Sequence, residues 1–334
     1  MSHELSMPRT PRTNALRLID HLGPQAQILA IALFFIACCL VFTFMTDVFA
    51  TTGNVLNLLR QAAPNLIVAI AMTFVITTGG IDLSVGSIVA LTNALAAILL
   101  QQGLPWPLTI LAILLVGGLV GLIQGWFIAY QGIPAFIVTL AGLSILRGVA
   151  LLMTQGFSIP IASGTGFTAL GRGWFLGMPA PAILAILAAL AGLITLSRTV
   201  YGRHIVAIGA NSEAARRTGI PTRRLTASVY VMSGTAAALA GIVIAARLGS
   251  GSSNAAVGFE LDVIAAVVLG GTALIGGRGT IVGTLLGALT IACIGNGLIL
   301  IHISPFFTQI VTGAVILIAI WLNTRLFSKL GRRR

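Results

Sequence analysis

The chain is poor in charge. Of its 334 residues only 8% are Asp, Glu, Lys or Arg, against roughly 25% in a soluble domain. That is too little to coat a water-exposed globule. Lysine is all but missing: the one example, Lys329, lies near the C-terminal end. A phosphate-cradling loop of the G-x-x-x-x-G-K-[ST] type needs lysine at its turn, so this chain carries no such nucleotide site. Cysteine occurs three times, as Cys38 and Cys39 in one apolar run and Cys293 in another. Thiols so placed read as packing residues, not as redox or metal groups. His3, His21, His204 and His302 are scattered without metal-ligand spacing, so no metal is expected. No nucleophile–base pair or His–acid constellation marks an enzyme.

Apolar sequence is what remains. Hydrophobic residues make up 57% and the mean hydropathy is +1.05. Runs such as "ILAIALFFIACCLVFTFM" (28–45) and "LTILAILLVGGLVGLIQGWFIAY" (108–130) are long enough to span a bilayer. In hydrocarbon every backbone group must be paired internally, which leaves helices and closed barrels. Barrel strands alternate apolar and polar residues; these runs do not. The fold class is therefore all-α, a polytopic helical bundle in the membrane. Candidate spans are 26–45, 64–78, 84–102, 107–130, 134–154, 180–197, 226–247, 260–275, 280–302 and 305–323, about ten transmembrane helices. Residues 53–63 stand as an additional amphipathic or re-entrant helix.

A net charge of +12 invites a nucleic-acid reading, but the placement of the charge opposes it. Basic residues gather at Arg9, Arg12 and Arg17, between Arg198 and Arg224, and between Arg325 and Arg334. An even number of spans puts all these clusters on one face, as the cytoplasmic bias of Lys and Arg requires. Both termini are expected on the cytoplasmic side. Residues 1–25 read as an N-terminal tail, 26–325 as the membrane domain and 326–334 as a basic tail.

Two spans look interrupted by glycine pairs, Gly79–Gly80 and Gly276–Gly277. Broken helices at membrane depth are tolerated where they line a cavity, while glycine also serves close helix packing. The stretches "GGIDLSVGSIVALTNAL" (79–95) and "GGRGTIVGTLLGALTIA" (276–292) echo one another faintly. Between Arg60 and Arg147 the only charged side chain is Asp82. Such a residue usually faces a bundle interior or a wet cavity. Asp82 is read either as the cap of the helix after the break or, with Ser84 and Asn93, as lining of a translocation path; proton coupling is a third role. Glu260 and Asp262 begin a late span. Threading places them at the external face near Arg247, as a helix-start charge or as the rim of the same path.

The most hydrophilic stretch, residues 197–228, holds six arginines and one acid, Glu213. Asn211 or Ser212 suits a helix start, Glu213 suits the first turn, and Gly219 followed by Pro221 suits its end. The expected product is a helix of about two turns on the membrane surface. The pattern Glu213-Ala214-Ala215, Arg216, then Gly219 and Ile220 resembles the cytoplasmic signature of permeases in ATP-binding cassette (ABC) importers. "GGIDLSVGSIVAL" (79–91), "YGRHIVAIGANSEAARRTGI" (201–220), "SGTAAALAGIVIAARLGS" (233–250) and "GFELDVIAAVVLGGTALIGGRGTIVGTLLGAL" (258–289) extend that resemblance. In order, they resemble the permeases of monosaccharide importers of the ribose, xylose, arabinose, galactoside and autoinducer-2 type.

The resemblance implies an ABC importer permease fold with a cytoplasmic coupling segment at 198–225 that holds the coupling helix around 211–220. It implies a second permease copy or a paralogue, ATPase subunits that hold ATP and Mg, and a periplasmic sugar-binding protein. No cofactor is expected on this chain, and Asn211 to Ile220 would contact the ATPase. A branched-chain amino-acid importer permease and an ion-coupled secondary transporter stand as alternatives.

Overall fold

The computed structural model describes residues 24–304 and positions 307, 310, 311, 313, 314 and 317. The N-terminal tail up to residue 23, the basic C-terminal tail and most of the expected span 305–323 lie outside the described residues. The helices are α1 Pro24–Met45, α2 Thr52–Thr77, α3 Val85–Gln101, α4 Trp106–Ala129, α5 Ala135–Thr154 and α6 Gly166–Arg172. They continue with α7 Ala180–Arg198, α8 Val200–Ala210, α9 Ser212–Arg217, α10 Thr222–Leu248, α11 Phe259–Leu269 and α12 Ile281–Leu300. Two-residue strands form two small antiparallel ladders. β1 (Ile159–Pro160) pairs with β4 (Ser250–Gly251), and β2 (Trp174–Phe175) with β3 (Met178–Pro179). The architecture is a polytopic helical bundle, and among the described residues seven helices are long and apolar enough to cross a membrane.

The spans are not equivalent. α2 and α10 are buried along most of their length, whereas α1, α4, α5 and α7 turn large apolar side chains outward. Leu111, Leu115 and Leu119 of α4 and Phe136, Leu140 and Leu152 of α5 are among the exposed ones. In water such a surface would be an aggregation patch; lipid tails solvate it. Between spans in lipid, association relies on close packing. α4 supplies this with Gly117, Gly121 and Gly125, one per turn, laid on α10. A Cβ at Gly125 would stand 2.7 Å from the Ala227 carbonyl oxygen, so only glycine admits this approach.

Two boundaries depart from the expected ones. Residues 53–63 and 64–78 form one continuous helix, α2, with Pro64 buried inside it. Proline usually ends or kinks a helix. Here Ala62, Ala63, Leu66 and Ile67 are all buried around it, and opening the helix in hydrocarbon would strand backbone groups without partners. The span expected at 260–275 stops sooner, at Leu269, where Gly271 turns the chain at φ 87°.

Candidate coupling and translocation site

The first interruption follows Thr77. Gly79 takes φ 84°, and Gly80 fits under Tyr230 because a Cβ there would overlap the Tyr230 hydroxyl. Asp82 then starts α3: its Oδ1 accepts from the Ser84 N–H at 3.0 Å and from the Ser84 hydroxyl at 2.6 Å. Its Oδ2 accepts from the Ser233 hydroxyl of α10 at 2.7 Å. Ser84 is bonded in turn to the Gln124 side chain of α4. Asp82 and Ser84 are both 0% exposed. Each carboxyl oxygen is therefore satisfied from within the bundle, and the group braces α3 against α10 and, through Ser84, against α4. Asn93, also fully buried, lies further along α3. It donates to the Gly241 carbonyl at 3.4 Å and accepts from the Ser252 N–H at 2.6 Å.

The second interruption lies between α11 and α12. Gly276 and Gly277 take φ 85° and 76°, and Thr280 caps α12 by accepting from the Gly283 N–H at 3.2 Å. The two breaks touch. Gly277 donates its N–H to the Thr77 carbonyl at 2.9 Å, and a Cβ on Gly276 would stand 2.8 Å from the Gly79 nitrogen. The faint sequence echo thus corresponds to a contact in space.

Glu260 and Asp262 are placed differently from the threaded position. After Gly249 the chain doubles back, pairs β4 with β1, and runs down α3 until Glu260 lies against Gly86, one turn from the first break. The basic neighbour of Glu260 is Arg147, not Arg247: the charge of Glu260 acts on Arg147. Arg147 also grips the returning loop, donating to the carbonyls of Ser253 (2.8 Å), Ala255 (2.7 Å) and Ala256 (3.3 Å). One Glu260 oxygen, Oε2, is buried without a hydrogen-bond partner. Asp262 is exposed at the start of α11. In the sequence, Arg147 marked only the end of an uncharged stretch; its sole signal was a guanidinium inside an apolar run.

At the end of the bundle where α8 finishes, α9 projects. Asn211 is the cap residue, its Oδ1 accepting from the Ala214 N–H at 2.9 Å. Glu213 pairs with Arg216 at 3.0 Å and Arg217 at 3.1 Å. These bonds, that of Arg216 first, hold the Glu213 carboxyl below the ordinary carboxylate range. Gly219 takes φ 85° and ends the segment. Ala215 is buried and Ile220 partly so, while Ser212, Glu213, Ala214, Arg216, Arg217, Thr218 and Gly219 are exposed. Anchored by two apolar side chains, α9 presents a polar outer face suited to a protein partner.

Residues 54–320 match the family described as branched-chain amino acid transport system / permease component. The ribose import permease protein RbsC of Haemophilus influenzae is 43% identical over 287 residues, covering 84% of this chain and 88% of that protein. The xylose transport system permease protein XylH of Escherichia coli (strain K12) is 36% identical over 351 residues, covering 86% and 89%. The probable ABC transporter permease protein YphD of the same strain is 41% identical over 314 residues, covering 94% and 93%. No solved structure matches the chain. With buried interrupted helices, lipid-facing outer spans and these matches, the chain belongs to the family of branched-chain amino acid transport system permease components and is a multi-pass membrane subunit of a transporter.

Proposed function

We propose that the chain is the permease of an ATP-driven monosaccharide importer, providing a path that opens to alternate sides of the bacterial inner membrane. The observation that carries this function is the 43% identity to a ribose import permease over 84% of the chain. The exposed, capped α9 fits the same function as the surface on which a separate ATPase subunit acts, with Asn211, Glu213, Ala214, Ala215, Arg216, Gly219 and Ile220 forming the coupling segment. ATP and Mg belong to that subunit, since this chain has no lysine-bearing phosphate loop. Both termini and α9 lie on the cytoplasmic side, where the arginines from Arg198 to Arg224 satisfy the positive-inside bias. A periplasmic sugar-binding protein supplies affinity for the sugar, and a second copy or a paralogue completes the membrane unit.

Within that unit the breaks at Gly79–Gly80 and Gly276–Gly277 are the points where the path changes shape. Asp82, Ser84 and Asn93 hold the wall of the path, while Glu260 and Asp262 are the acids nearest to passing hydroxyl groups, for which a carboxylate is a strong acceptor. The test is reconstitution in liposomes with the partner ATPase and binding protein. Uptake of ribose or xylose that requires ATP and persists without a proton gradient is the expected result. Uptake of leucine in place of sugars would install the amino-acid alternative, and uptake driven by a proton gradient without ATP would install the secondary transporter.

A further inference from the structure

Three pieces of backbone meet where α2, α8 and the loop after α11 end. The hydrogen bond from Gly277 N–H to the Thr77 carbonyl joins the two helix breaks. Gly209, the penultimate residue of α8, lies on that bond. A Cβ there would overlap both the Thr77 oxygen and the Gly277 nitrogen. A Cβ on Gly276 would stand 3.0 Å from the Gly209 carbonyl oxygen, and one on Gly277 would stand 2.9 Å from Ala210 Cα. From Gly209 the chain needs only Ala210 and Asn211 to reach the first residue of α9.

We propose that this junction, centred on Gly209, carries movement of α9 to the second helix break, with the first break as its fixed support. Gly209 is a positioning residue; it acts on the path through Thr77 and Gly277. The inference rests on α9 being the surface that the ATPase moves. Side chains between packed helices can change rotamer and absorb a displacement, whereas backbone against backbone has no such freedom and passes it on. The first break is braced by Asp82 to α10 and α4. The second carries Leu274 and Ile275 at 47% and 89% exposure. A push delivered at the junction therefore shifts the loop from 270 to 280 against a fixed partner.

The experiment uses the full permease with its ATPase and binding protein in lipid nanodiscs and liposomes. Cys38, Cys39 and Cys293 are replaced by alanine, and spin labels are placed at Ile275→Cys and Leu176→Cys, both exposed. In the otherwise native protein, ATP is expected to change the distance between the labels. Gly209→Ala is expected to retain the ATPase through purification and to hydrolyse ATP within twofold of the parent. Sugar uptake should fall at least tenfold and the ATP-dependent distance change should vanish. Gly295→Ala, at a helical glycine with open space around it, should match the parent. Should Gly209→Ala fail to assemble, Ala210→Gly keeps the proposal testable, because it adds no bulk and gives slack to the backbone that links Gly209 to α9. It is expected to lower sugar moved per ATP at least threefold with an unchanged melting temperature.

Uptake by Gly209→Ala equal to that of Gly295→Ala, a label distance that still responds to ATP, or an unchanged ratio in Ala210→Gly would overturn the junction. Failure of the parent protein to retain an ATPase or to use ATP would instead overturn the proposed function.

Discussion

The two helix breaks share a left-handed glycine and a helix that begins within a few residues, yet they are built in opposite ways. At the first, a carboxylate is sealed inside the bundle and receives hydrogen bonds from Ser84 and Ser233. At the second, a threonine hydroxyl caps the helix and the preceding loop faces outward. A buried carboxyl group with both oxygens hydrogen-bonded fixes the position of everything bonded to it. A neutral cap on an open loop fixes only its own helix start. Joined by one backbone hydrogen bond, the pair consists of an anchor and a part free to move.

The largest expected effect comes from removing the anchor. Asp82→Ala leaves the Ser84 N–H and the Ser233 hydroxyl buried without their acceptor, while the Ser84 hydroxyl keeps the Gln124 Oε1. Each orphaned buried group costs about 1–3 kcal/mol, so a loss on the order of 3 kcal/mol or more is expected, read as a lower melting temperature in detergent together with lost uptake. Asp82→Asn keeps an oxygen for Ser84, and the Ser233 hydroxyl can turn to accept from the new amide. Its cost should stay near 1 kcal/mol. Normal uptake in Asp82→Asn assigns the residue to bracing; abolished uptake with a native melting temperature would give the charge itself a role in transport.

Next comes the fit of Gly80 beneath Tyr230. The Tyr230 hydroxyl is buried without a partner, so Tyr230→Phe should leave stability unchanged or raise it slightly. Gly80→Ala forces a methyl group onto that hydroxyl and should cost roughly 1–3 kcal/mol as overpacking. Combining the two substitutions should recover about half of the loss, a coupling that a double-mutant cycle of melting temperatures measures. Additive effects would show that the strain lies elsewhere.

Much of this arrangement was legible in the sequence because membrane helices leave strong local signals. Apolar runs located seven of the ten expected spans among the described residues, and paired glycines located both breaks. Asn211 and Gly219 bounded α9 because capping chemistry is local. What escaped depended on distant neighbours. Pro64 reads as a helix end, yet the surrounding bundle holds the helix together. Arg147 and Glu260 come near each other only because the chain doubles back after Gly249, and no periodicity encodes that return. Gly209 is one of 39 glycines and is distinguished by contacts with Thr77 and Gly277, each more than 60 positions away in the chain.

The second break should be weaker to perturb. Thr280→Ala removes the side-chain cap of α12, worth about 1 kcal/mol, and exchanges no buried charge. A small drop in melting temperature with retained uptake is expected, in contrast to Asp82→Ala. Equal damage at the two sites would erase the distinction between anchor and moving part.

The smallest effect on stability belongs to Glu213, although it pairs with both Arg216 and Arg217. Its carboxyl is fully exposed, and water screens such pairs until they contribute little. Glu213→Gln should therefore leave the melting temperature unchanged. Because Arg216 and Arg217 hold the folded carboxyl below its ordinary range, the pairing is complete above that range and is lost only as pH falls through the lowered value. Uptake measured across the neutral range should then show no pH dependence traceable to this residue. If α9 is the surface that meets the ATPase, Glu213→Gln lowers uptake and ATPase retention at constant melting temperature, the reverse of the pattern expected at Thr280. A variant that melts earlier but transports normally would place Glu213 with the structural caps and remove it from the coupling surface.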